Sequence, residues 1–160
     1  MIEAPPPASR CALVTAPLSL DVRLTCADAI VPTRSRPGDA GYDLRATERV
    51  SLPHAGRRLV GTGVAIALPP GVAGLVTPRS GLAIDHGLTL LNAPGLIDPN
   101  YRGEIKVILH NTGERRYTVE IGDRIAQLLL VPYWAPELQV VEALAETDRG
   151  PDGFGSSGRR

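Results

Sequence analysis

From Leu18 onward, apolar and polar residues alternate in short runs punctuated by Gly, Pro, Asn and Asp. A period of two sends every second side chain to the same face, which marks a half-buried strand and not a helix. SLDVRLT (19–25), GVAIALPPG (63–71), VAGLVTP (72–78), GEIKVILHN (103–111), YTVEIGD (117–123) and ELQVVEAL (137–144) are therefore expected to be strands. The leucines of DRIAQLLLV (123–131) would also suit a buried helix, but the run is short and bounded by Gly122 and Pro132, which favours a strand. One short helix is expected in RSGLAIDHG (79–87), with Ser80 as its N-cap and Gly87 as its stop. Short strands at this spacing imply an all-β sandwich, jelly roll or barrel.

Composition narrows this to one domain: 160 residues with 43% hydrophobic content build one ordinary core. Lys and Arg total 17, as do Asp and Glu, so no global field draws the chain to nucleic acid or to an anionic membrane, and neither partner is expected. Any anion must be held by local design. No apolar run approaches the roughly 18 residues of a spanning helix, and MIEAPPPASR has no signal-peptide pattern, so a cytoplasmic location is expected. Prolines crowd residues 1–17, predicting a disordered arm ahead of a β domain over 18–147 and a flexible Gly/Ser-rich tail over 148–160. Cys11 and Cys26 have neither metal nor disulfide-scaffold spacing and read as free thiols; the three histidines match no zinc motif.

Five stretches could carry chemistry, each with a plain structural alternative. In DAGYDLRA (39–46), an extended backbone would put Asp39, Gly41 and Asp43 on one face, where carboxylates suit a hydrated Mg2+, or the stretch is simply a turn entering a strand. TPRSGLA (77–83) offers Arg79, Ser80 and the Gly81 amide at a helix start, a natural phosphate seat, unless Ser80 only caps the helix. NAPGLIDPNYRGEIKV (92–107) reads as one hairpin. It places Asn92, Asp98 and Tyr101 where they could floor a pocket, although Asp98 before Pro99 is also a good turn residue. GDRIAQLLL (122–130) hides Gln127 in an apolar run, where its amide needs a backbone or ligand partner. RGPDGFGSSGRR (149–160) carries the only Phe, Phe154, among glycines and serines, and reads otherwise as a disordered terminus.

In this order and spacing the five stretches resemble the motifs of the trimeric deoxyuridine triphosphatase (dUTPase) family, from about Leu18 to Gly158; IDPNYRGEIKV and RGPDGFGSSG are the most diagnostic. The resemblance implies a distorted jelly-roll (β-clip) subunit with at most one short helix, assembled as a homotrimer whose active sites are shared between subunits. It implies hydrolysis of dUTP to dUMP and pyrophosphate by in-line attack of water, with Mg2+ as cofactor. Asp98 would orient or deprotonate the water, and Asp43 would hold a water of the Mg2+ shell. Arg79, Ser80, Gly81, Gln127 and Arg149 would hold phosphates. Asn92 would read uracil and Tyr101 would pack on deoxyribose, while Phe154, Gly155, Ser156 and Ser157 would close over the substrate. The proline-rich arm has no motif counterpart. Two rivals stand beside this reading: the related dCTP deaminase or its bifunctional form, and a non-enzymatic nucleotide-binding β-trimer.

Overall fold

The computed structural model describes residues 19–151. Eleven strands and one helix follow in order among these residues: β1 (Asp21–Leu24), β2 (Tyr42–Arg45), β3 (Val50–Leu52), β4 (Arg57–Gly61), β5 (Val64–Ala67), β6 (Val72–Thr77), α1 (Ser80–His86), β7 (Leu88–Leu90), β8 (Gly95–Ile97), β9 (Lys106–Asn111), β10 (Tyr117–Val119) and β11 (Arg124–Pro132). The all-β jelly-roll expectation with one short helix holds. The strands form four small antiparallel sheets: β1-β5, β10-β3, β2-β11-β6-β8 and β4-β9-β7. Period-two patterning does the sorting. In β9, Val107, Leu109 and Asn111 turn inward while Lys106, Ile108 and His110 turn out. The inward residues meet Leu44, Leu52, Val60, Val64, Ile105 and Leu128 in one core, each large side chain contributing about 1.5–3 kcal/mol by leaving water.

β11 organises the site. It pairs with β2 on one edge and β6 on the other, so Gln127 lies opposite both Asp43 and Thr77. A bulge between Arg124 and Ala126 breaks the alternation. Ile125 and Ala126 are both buried, and Arg124 comes round to reach Asp43, on the side that Gln127 faces.

Four local expectations are corrected. Arg79, with extended backbone, is the N-cap of α1; Ser80 is the first helical residue and makes no capping bond. Gly87 does stop the helix in the left-handed region, its N–H donating to Ala83 O at 3.0 Å. Residues 92–107 are not a hairpin, because β8 pairs with β6 while β9 lies between β4 and β7. Asp39 does not share a strand face with Asp43: it closes a turn, its carboxylate accepting the Arg36 N–H at 2.8 Å. Residues 137–144 form no strand. Leu138 is 93% exposed and Leu144 87%, because no strand edge among the described residues pairs with this segment and alternation alone supplies no partner.

Candidate active site

Asp43 is the centre of the polar construction. It sits on β2 with only 4% of its surface exposed. Its Oδ2 accepts hydrogen bonds from Ser35 Oγ at 2.9 Å and Arg124 Nη1 at 3.0 Å. Its Oδ1 lies 3.2 Å from Arg79 Nε, yet the angle makes no hydrogen bond, and both atoms are buried without one. The contact is therefore an ion contact that leaves a lone pair on Oδ1 and a proton on Nε. Burial, the largest single influence, pushes the Asp43 carboxyl up. The hydrogen bonds from Ser35 and Arg124 with the charges of Arg79 and Arg124 together outweigh it, holding the group below its ordinary value.

The neighbouring groups stay open. Ser80 is exposed and, like the half-buried Gln127, its side chain makes no hydrogen bond among the described residues. The Gln127 amide lies over Gly41, where an added Cβ would stand 3.3 Å from Gln127 Cδ and Nε2; the glycine clears the space the amide occupies. A Cβ on Gly81 would meet nothing within 4 Å, so its backbone is open to approach. Beside Arg79 a cavity of about 240 Å³ is lined by Arg45, Arg124, Asp123 and Tyr117. Tyr117 packs against the His86 ring at 4.7 Å; its hydroxyl is pushed up by burial and by Asp123, with Arg79 opposing.

Asn92, Asp98 and Tyr101 line a different cavity, about 350 Å³, walled also by Leu59, Ile97 and Ile108. Asn92 precedes β8, and the turn after β8 that carries Asp98 and Tyr101 is held by Tyr101 N–H donating to Asp98 O at 3.1 Å. The Tyr101 hydroxyl donates to Glu104 O at 2.9 Å, fixing the ring, and Gly103 leaves room beneath it. The carboxylate of Asp98 is exposed and makes no hydrogen bond or ion pair among the described residues. The structure thus brings Asp43, Arg79, Ser80 and Gln127 together, and separately Asn92, Asp98 and Tyr101; none of the first four lines the cavity of the other three. Arg149 stands on an exposed turn closed by Gly150 N–H to Thr147 O at 3.0 Å. Phe154, Gly155, Ser156 and Ser157 lie outside the described residues, as does Cys11; Cys26 is a free, exposed thiol.

Sequence reading missed Ser35 and Arg124. Arg124 had a visible signal, the adjacent apolar pair Ile125-Ala126 that breaks alternation, while Ser35 depends on the fold-back of its loop.

A family model for dUTPase matches residues 27–158. The deoxyuridine 5'-triphosphate nucleotidohydrolase of Anaeromyxobacter sp. (strain Fw109-5) is 53% identical over 129 residues, spanning 81% of this chain and 88% of its own. That of Solibacter usitatus (strain Ellin6076) is 48% identical over 144 residues, spanning 89% and 97%. Among solved structures, the Staphylococcus bacteriophage 80alpha dUTPase with dUpNHpp superposes with a TM-score of 0.82 at 33% identity, covering 88% of this chain and 98% of that one. A mutant dUTPase from phage phi11 of S. aureus, described with a coordinated structural Mg(II) ion, gives 0.74 at 31% identity, covering 79% and 98%. One family model over most of the length, relatives about half identical across nearly their whole chains, and the shared fold lead to one conclusion: the chain belongs to the dUTPase family.

Proposed function

We propose that the protein hydrolyses dUTP to dUMP and pyrophosphate, by water attacking the α-phosphorus in line, as a cytoplasmic enzyme that limits uracil incorporation into DNA and supplies dUMP for dTMP synthesis. The observation that carries this reading is the buried Asp43 carboxylate between Arg79 and Arg124, with Oδ1 free of hydrogen bonds. An acceptor lone pair between two guanidiniums suits an anionic ligand that arrives with a hydrated cation.

Mg2+ fits these residues as an ion held mainly by others. No three His, Cys, Asp or Glu side chains gather among the described residues, so most ligands would be phosphate oxygens and waters, and Asp43 Oδ1 would accept a hydrogen bond from one such water. When bound, the ion would neutralise charge developing on the phosphates. Arg79, the Ser80 hydroxyl, the Gly81 N–H and the Gln127 amide would hold the phosphate chain, with Arg149 at its far end. Asp98, exposed and without internal bonds, would orient the attacking water and take its proton. Asn92 would bond the uracil edge, and the Tyr101 ring, fixed through Glu104, would pack on deoxyribose and exclude a 2′-hydroxyl. Phe154 would stack on uracil, while Gly155, Ser156 and Ser157 would close over the phosphates and expel water.

The active unit would be a homotrimer. One subunit would supply Asp43, Arg79, Ser80 and Gln127, a second Asn92, Asp98 and Tyr101, and a third the tail. The absence of Asp43, Arg79, Ser80 and Gln127 from the cavity of Asn92, Asp98 and Tyr101 supports this, as do the exposed Trp134 and Leu138, apolar surface suited to burial against another subunit. The test is pyrophosphate release from dUTP, UTP, dTTP and dCTP beside a sedimentation mass. Turnover of dUTP alone by a trimer is expected. Deoxyuridine products from dCTP, or full activity at one subunit's mass, would overturn the reading.

A further inference from the structure

The geometry points to Ser35 as a positioning residue that commits one oxygen of Asp43 to the protein and leaves the other for ligand. This rests on the proposed function, with Asp43 as the residue facing the hydrated cation. Ser35, Asp43 and Arg124 form a closed ring. Ser35 Oγ donates to Asp43 Oδ2 at 2.9 Å and accepts from Arg124 Nη1 at 2.8 Å. The same Arg124 nitrogen donates to Oδ2 at 3.0 Å. A hydroxyl has one proton and two lone pairs, so Ser35 is well matched to bridge an anion and a cation. All internal hydrogen bonds to the carboxylate fall on Oδ2, and none on Oδ1.

The loop is built to hold Ser35 there. Before it, Asp43 N–H donates to Thr33 O at 2.9 Å, and the Arg34 guanidinium lies 5.5 Å from the centre of the Tyr42 ring. After it, Arg36 and Asp39 exchange bonds in both directions: Arg36 N–H to Asp39 Oδ2 at 2.8 Å and Asp39 N–H to Arg36 O at 3.2 Å. Ser35 is thus tied to the strand bearing Asp43 on one side and held by a closed turn on the other, and Tyr42 gains a role as the platform for Arg34.

Without the hydroxyl, Oδ2 keeps one donor. Carboxylate rotation about its terminal torsion is soft, and Arg79 Nε waits 3.2 Å from Oδ1 with no hydrogen bond of its own. A small turn would pair them and withdraw Oδ1 from ligand. Ser35 therefore acts on the metal-dependent part of substrate binding and not on binding in general.

The test uses the full-length protein and Ser35→Ala and Ser35→Thr variants, titrated calorimetrically with dUpNHpp in MgCl2 and, separately, in EDTA. Expected for Ser35→Ala is loss of affinity on the order of 10-fold in Mg2+, the scale of an outer-shell partner, with affinity in EDTA within about twofold of the parent's. Ser35→Thr, which keeps the hydroxyl, should restore the Mg2+ arm. Equal losses in both arms, or none in either, would overturn the role. So would failure of Ser35→Thr to rescue when its unfolding midpoint matches the parent's. The titrations need no turnover, so absence of dUTP hydrolysis by the parent would refute the proposed function while the two arms still decide on Ser35.

Discussion

Replacing Asp43 by Asn keeps the side chain's size and removes its charge, which makes the cluster's contribution measurable. Three losses follow. The charged bond to Ser35 becomes a neutral one, costing about 1 kcal/mol. The pair with Arg124, whose side chain is 38% exposed, is worth about 1 kcal/mol after allowance for solvent screening. Arg79, only 23% exposed, loses the counter-ion beside it, costing about 1 kcal/mol more. Against these, an amide is cheaper to bury than a carboxylate by about 1 kcal/mol, leaving a net destabilisation of about 2 kcal/mol. Urea unfolding at one fixed protein concentration measures it. The pH dependence gives the sign. Asp43 is held below its ordinary value of 3.8 in the folded protein, so its contribution is fully present above that value and is lost as pH falls through the lower folded value. The gap between parent and Asp43→Asn should therefore be widest near neutrality and close in acid. A gap that persists unchanged in acid, or a variant as stable as the parent at neutral pH, would refute the assignment of net stabilisation to this charge.

Asp98→Asn should change unfolding stability by less than about 0.5 kcal/mol, since the exposed carboxylate makes no internal bond. Turnover of dUTP should fall about 10²–10⁴-fold while dUpNHpp still binds; unchanged turnover would remove Asp98 from the mechanism. Asn111 is fully buried and makes three hydrogen bonds, to Leu52 O at 3.0 Å, to Arg115 O at 2.8 Å and from Gly113 N–H at 3.0 Å. Asn111→Ala should cost about 2–4 kcal/mol in urea unfolding, and a cost below about 1 kcal/mol would show that water replaces those partners. Ending the chain after Thr147 should leave the unfolding midpoint in place and severely lower turnover; normal activity of the shortened chain would refute a closing lid.

Alternation made strands such as β9 legible, because one face is buried against the core and the apolar spacing records it, whereas β11, whose burial does not alternate, was legible only from its shortness and its bounding Gly122 and Pro132. It also made residues 137–144 look like a strand, since a period of two says how a segment would pair and nothing about whether an edge is available. The helix was visible from Gly87 but its cap was misjudged: the backbone leaving β6 is still extended at Arg79, so the cap falls one residue early and Ser80 keeps its hydroxyl outward. The motif residues could be named from their resemblance, but not their partners. Asp43 meets Arg124 across 81 residues because of a bulge, and a hairpin between β8 and β9 fails because each strand finds a better neighbour elsewhere. Register and sheet order are decided by the whole core.

Strand β11 carries a consequence for how the site comes into being. Asp43 and Arg79 lie in the first half of the chain, yet β2 and β6, the strands that lead to them, do not pair with each other; each pairs with a strand that begins at Arg124. A growing chain has no means of assembling the cluster until nearly all of it has emerged, and closing such long loops is slow. Until then Asp43 has no Arg124, and β2 and β6 each lack the neighbour that β11 provides. The polar centre is therefore among the last parts of the subunit to form, and partly made chains are kept from binding by topology alone.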